Sequence, residues 1–98
     1  MSVETNLGDT PLRPRAKCLL TVLDDGSGVI LNLETKYYFT LNQTGVALWQ
    51  ALENGAGTAR EIAQALARTF EVDEAKALED VRDVLRELVA EHLVERAT

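Results

Sequence analysis

Along the chain the spacing of apolar residues changes character near Asn42. Before it lie three short runs rich in β-branched, aromatic and leucine residues: Cys18–Leu23, Val29–Leu33 and Tyr37–Leu41. Such runs, four to eight residues long and bounded by turn chemistry, predict strands. Asp24-Asp25-Gly26-Ser27-Gly28 separates the first two, and Gly and Asp tolerate the dihedrals of a tight reversal. Glu34-Thr35-Lys36 joins the second to the third. Short links between consecutive strands favour an antiparallel meander, stable only when one face is covered.

After Asn42 the rhythm becomes helical. Gly45, Leu48, Trp49 and Leu52 follow the i, i+3, i+4, i+7 rule, with Asn42 as N-cap and Asn54-Gly55 as the stop. Gly45 on the apolar face permits close approach to the sheet, and Trp49 is expected in the core. Thr58-Ala59-Arg60-Glu61 has the form of a capping box and opens a second helix. Its inner face is predicted to carry Ile62, Leu66 and Phe70. Asp73 caps a third and longest helix, reaching about Glu91, with Leu78, Val81, Leu85 and Leu88 as its stripe and Ala77 and Val84 beside it. His92-Leu93-Val94-Glu95 is expected as a short extended segment against the sheet. The pattern βββααα predicts a winged-helix-like α+β domain over residues 16–96, preceded by a flexible polar arm over residues 1–15 that contains Pro11 and Pro14.

Composition narrows the function classes. With 98 residues, one domain and one modest core are expected; 46% of residues are hydrophobic but only 5% aromatic, so aliphatic side chains must fill that core. No apolar run approaches the roughly 20 residues that span a bilayer, and the N-terminus lacks the form of a secretory signal. The one cysteine, Cys18, cannot form an internal disulfide, which makes a reducing, cytoplasmic setting the expectation. Sixteen acidic against 10 basic residues give a net charge of −6, which disfavours a broad phosphate-binding surface. Arg13, Arg15 and Lys17 form the one basic cluster, read as a solvated arm.

Candidate chemistry is sparse. Ser2 and Ser27 fall in the arm and in a turn, His92 stands alone, and Cys18 opens an apolar strand as a small core residue. The many carboxylates of the third helix alternate with Lys76, Arg82 and Arg86 as i, i+3 and i, i+4 pairs, the pattern of a solvated face. No spacing matches a metal site or a phosphate loop, so neither an enzyme nor a cofactor is expected. The strand Tyr37–Leu41 holds the best lead. If it lies at a sheet edge, its backbone can accept a strand from another polypeptide.

The series V-I-L-N-L-E-T-K-Y-Y-F-T-L-N-Q-T-G-V-A-L-W-Q-A-L, then T-A-R-E-I-A-Q-A-L, F-E-V-D and E-D-V-R-D-V-L-R-E-L ending in H-L-V-E, resembles the PqqD-like family over about Cys18 to Glu95. The resemblance implies a stand-alone, non-catalytic recognition element and peptide chaperone. Such an element binds the leader of a ribosomally synthesised precursor peptide as a strand added to the third strand, beside the third helix. Carried onto this sequence, the docking ledge is Lys36, Tyr37, Tyr38, Phe39 and Thr40, and the groove wall is Ala77, Asp80, Val81 and Val84. Many relatives carry glycine at the position of Lys36. The implied partners are the leader peptide and a modifying enzyme or leader protease. That partner is a lasso-type protease and cyclase, slightly favoured, or a radical S-adenosylmethionine enzyme as in pyrroloquinoline quinone biosynthesis. Neither nucleic acid nor membrane is an expected partner, and the protein is expected as a monomer or homodimer. The alternatives are a winged-helix DNA-binding regulator, for which the second helix offers only Arg60 and Arg68 beside Glu61, and a structural subunit that pairs its edge strand with another copy.

Overall fold

The computed structural model describes residues 11–55 and 57–97. Its elements in order are β1 (Leu12–Pro14), β2 (Cys18–Val22), β3 (Gly28–Asn32), β4 (Tyr38–Leu41), α1 (Gln43–Glu53), α2 (Ala59–Phe70), α3 (Glu74–Ala90) and β5 (Val94–Arg96). The expected meander is present: β2, β3 and β4 form a three-stranded antiparallel sheet in that spatial order, followed by three helices, an α+β fold. Along each strand the inward and outward residues alternate, so Cys18, Ile30 and Leu41 enter the core while Leu19, Leu31 and Tyr38 stand in register on the outer face.

The helices start where their side chains satisfy orphan backbone donors. Asn42 Oδ1 accepts from the Gly45 N–H at 2.8 Å, Thr58 and Glu61 form a reciprocal capping box, and Asp73 Oδ2 accepts from the Lys76 N–H at 3.2 Å. Gly45 does permit the close approach expected of it, since a Cβ there would meet Leu41 Cδ2 at 2.9 Å. Trp49, Leu48, Ile30, Ile62, Leu85 and Leu88 are fully buried and join the sheet to all three helices in one core. Phe70 departs from its expected inward position: it is 38% exposed at the last turn of α2, where Glu71 enters the left-handed region (φ 54°) and turns the chain toward α3.

Two further departures concern the chain's ends. Leu12–Pro14, expected within the polar arm, is a strand, and Leu12 is 4% exposed in the core. It pairs with β5 as a separate antiparallel ribbon, Leu12 opposite Arg96 and Pro14 opposite Val94. The C-terminal segment therefore lies against β1 and not against the three-stranded sheet. An Arg13–Glu95 ion pair at 3.0 Å and the Leu12 N–H bond to Gly57 O at 2.7 Å fasten this ribbon to the α1–α2 link. The rest of the expected arm, residues 1–10, lies outside the described residues. No described helix is long and apolar enough to cross a membrane.

Candidate functional site

β4 is an edge strand. On one side it is bonded to β3; no described strand pairs with the other. The phase of the ladder follows from one bond, Asn32 N–H to Tyr37 O at 2.9 Å. Bonded and non-bonded pairs alternate along an antiparallel ladder, so Phe39 and Leu41 bond inward to Ile30 and Gly28. The N–H and C=O groups of Tyr38 and Thr40 consequently point outward, at the free edge. The predicted ledge Lys36–Thr40 is thus sorted: Tyr38 and Thr40 offer backbone groups, while Phe39 contributes a half-buried side chain packed on the core.

The turn before β4 sets where that ledge begins. Asn32 is buried, and its Oδ1 accepts from the N–H groups of Glu34 and Thr35 at 2.9 and 3.2 Å. Its carbonyl accepts from the Lys36 N–H at 2.8 Å. Lys36 itself has φ 68°, in the left-handed region that costs a residue with a Cβ about 1–2 kcal/mol. Glycine would reach this conformation freely, whereas lysine adopts it at some cost. Tyr37 falls just before the strand and is 77% exposed; Tyr38, within it, is 71% exposed.

Beside β4 runs α3, which does not pack down on the strand. A cavity of about 240 Å³ lies between Tyr37–Phe39 and the Ala90–Leu93 end of the helix. A second, of about 330 Å³, lies past the far end of β4, bounded by Thr44, Leu66, Phe70, Val72, Ala77 and Asp80. Strand and helix thus pass one another in opposite directions, with a cavity at each end of the trough between them. Of the predicted wall residues, Asp80 is exposed, Val84 is half-buried and Ala77 is buried but borders the second cavity. Val81 is 1% exposed and belongs to the core, because the helix turns its Ala77–Val81–Leu85–Leu88 stripe inward.

Sequence reasoning missed the C-terminal end of α3. His92, at φ 58°, and Glu91 line the first cavity, and the only signal was their place directly after the helix. It also missed Thr44, Leu66 and Val72 at the second cavity, although the apolar pair Phe70 and Val72 at the α2–α3 link was a legible hint. Asp80 is paired with Lys76 at 3.2 Å, and Asp83 with Arg86 at 2.6 Å, as the charge spacing predicted. Glu87 and Glu91 have no ion-pair partner among the described residues, which leaves this end of the helix acidic. Elsewhere the one cysteine behaves as a core residue. Burial pushes the Cys18 thiol above its ordinary value of 9.0, with Arg15 opposing and Glu34 and Glu95 adding to the shift. No cluster of potential metal ligands occurs among the described residues.

Comparison with known proteins agrees with this architecture. The sequence matches the model of the family described as Coenzyme PQQ synthesis protein D (PqqD) over residues 27–94. No curated protein matches it. Among solved structures, TbiB1 in complex with the TbiA(beta) leader peptide is 32% identical with a TM-score of 0.74, covering 85% of this chain and 94% of that one. A lasso peptide synthetase B1 complexed with the leader peptide is 25% identical with a TM-score of 0.73, covering 87% and 98%. The PqqD truncation of Methylobacterium extorquens PqqCD, a stand-alone recognition element for ribosomally synthesised and post-translationally modified peptides, is 27% identical with a TM-score of 0.76, covering 91% and 93%.

Proposed function

This chain belongs to the coenzyme PQQ synthesis protein D family, and from that footing we propose that it is a non-catalytic module that binds the leader of a ribosomally made precursor peptide. The leader adds as a strand to the free edge of β4. Its backbone bonds to the outward N–H and C=O groups of Tyr38 and Thr40, which gives affinity that tolerates sequence change. Alternate leader side chains enter the trough against α3, and the others join Tyr38 and Thr40 on the outer face of the sheet. The observation that carries this reading is the coincidence of an open strand edge with a trough that the neighbouring helix leaves unfilled.

Selectivity comes from the helix side. Ala77 and Asp80 border the second cavity, half-buried Val84 lies one turn further along α3, and Glu91 at the first cavity favours a leader with a basic side chain toward the Tyr37 end. Lys36, in its left-handed turn, marks where the ledge starts. Holding the leader raises the local concentration of the attached core peptide at a partner enzyme, so the module needs no chemistry of its own. Hand-over to a leader protease and cyclase of a lasso-type pathway is favoured over a radical S-adenosylmethionine partner, because one matched complex is of a lasso peptide synthetase B1. The charge of −6 works against a DNA-binding role.

An NMR titration with a synthetic leader from the precursor gene adjacent to this one tests the reading. The amide signals of Tyr37–Leu41 and of α3 should shift together and saturate. If a saturating leader moves neither region, strand addition at β4 is wrong.

A further inference from the structure

The sheet has a second open edge, β2, which peptide binding at β4 leaves untouched. Two bonds fix the phase there as well: Leu33 N–H to Lys17 O at 2.9 Å and Leu23 N–H to Ser27 O at 2.8 Å. Odd-numbered residues of β2 therefore bond to β3, and the backbone groups of Leu20 and Val22 point outward with no described strand to meet them. Natural edges are commonly guarded by charge, proline or a bulge. Cys18-Leu19-Leu20-Thr21-Val22 carries no charge and no proline, pairs with β3 without a bulge, and exposes Leu19 and Val22.

The charges that flank this strand say what can cover it. Lys17 precedes β2, next to Arg15, whose charge Glu34 already meets at 3.6 Å, and Asp24 and Asp25 follow it. Antiparallel pairing of two copies about a two-fold axis at Leu20 sets the basic end of each strand beside the acidic end of the other, twice by symmetry. Parallel pairing would set like charge against like. In the antiparallel register Leu20 faces its own copy and Cys18 faces Val22 of the second copy. The Leu20 groups are in phase to exchange hydrogen bonds with their own copy, and the Val22 N–H is in phase to donate to Cys18 O of the second copy; the Cys18 N–H is already held by Arg15 O at 3.0 Å. Lys17 and Asp24 have no ion-pair partner among the described residues, so each is available to the other copy.

We propose that β2 is a self-association edge, at which a second copy of this chain pairs antiparallel to give one continuous six-stranded sheet. Both β4 edges and both troughs remain open at the far ends of that sheet. Lys17, the member of the basic cluster that neither the peptide site nor an ion pair within the described residues uses, then acts in assembly. A contact of this size belongs to the weak, transient class of interfaces. The inference stands whether or not β4 takes a peptide.

Sedimentation equilibrium of the full chain at increasing concentration tests it. The expected result is a monomer of 10.8 kDa passing to twice that mass. Val22→Pro removes an outward N–H without touching the β3 ladder and should raise the dimer dissociation constant at least about tenfold. Its circular dichroism should be unchanged and its leader affinity kept. Lys17→Glu should weaken the dimer several-fold, and Lys17→Glu with Asp24→Lys should restore it. A chain that stays monomeric to about 1 mM, a dimer indifferent to Val22→Pro, or a double variant no tighter than Lys17→Glu would each overturn the proposal.

Discussion

Replacing Thr40 by proline tests the hydrogen-bond phase of β4 at a single atom. The Thr40 N–H points to the free edge, so proline there removes nothing from the bond pattern with β3. Proline is tolerated on edge strands in this orientation, and Phe39 before it is already extended. The fold should lose little. An incoming leader, however, loses one net hydrogen bond of about 0.5–1.5 kcal/mol, and its own carbonyl is left buried and unpaired at about 1–3 kcal/mol more. Taking about 1.5 kcal/mol as the lower end of the sum, leader affinity should fall roughly tenfold or more. Isothermal calorimetry measures the affinity and urea unfolding the stability. Phe39→Pro is the counterpart: its N–H serves the ladder, so it should cost roughly 3 kcal/mol of stability. The reasoning fails if Thr40→Pro remains folded and binds leader within about threefold of the parent. It fails equally if Val22→Pro, on the opposite edge, weakens leader binding as much.

Lys36→Gly removes the strain of φ 68° at the cost of chain entropy, so it should stabilise the fold by about 0.5–1 kcal/mol in urea unfolding; a loss of stability would contradict the turn assignment. Asn32→Ala deletes the acceptor for two turn N–H groups. It should cost about 1–2 kcal/mol and shift the amide signals of Lys36 to Tyr38, while unmoved signals there would show that Asn32 does not set the ledge. Buried Cys18 should react with a thiol reagent at least about tenfold more slowly in the native chain than in urea. Its raised thiol also fixes a sign. Above 9.0 the unfolded thiol ionises first while the folded one keeps its proton, so Cys18 subtracts stability as pH rises past that value. Cys18→Ala should flatten this part of the pH profile.

The helix starts were legible because capping is local: Asn42, Thr58 with Glu61, and Asp73 each act within three residues. The meander was legible for the same reason, its turn residues lying between its strands. The β1–β5 ribbon was not. It is two strands of three residues each, too short for a period, and it joins residues eighty or more positions apart. Val81 shows a second limit. On a helix one residue separates the buried stripe from the trough wall, and both positions carry apolar or small side chains in this sequence. The left-handed turn at Lys36 left no mark, since nothing local in a lysine requires positive φ.

Magnitudes indicate how the two parts of the trough must share the work. Tyr38 and Thr40 offer four outward backbone groups, and at about 1 kcal/mol net each they supply about 4 kcal/mol. Micromolar binding needs about 8 kcal/mol after the entropy of ordering a flexible leader has been met. The edge alone therefore captures any extended peptide weakly and none well, which also keeps β4 from seizing other chains. The remainder must come from apolar leader side chains, each worth about 1.5–3 kcal/mol when fully buried. The trough has room for them at its two ends, in cavities of about 240 and 330 Å³. A leader that places one large apolar side chain in each cavity adds about 3–6 kcal/mol to the edge's contribution before that entropy is met. A leader with only one falls short by about the worth of the missing anchor, some ten- to a hundredfold. Discrimination thus rests on the spacing between two anchors, a length that β4 and α3 hold fixed between them.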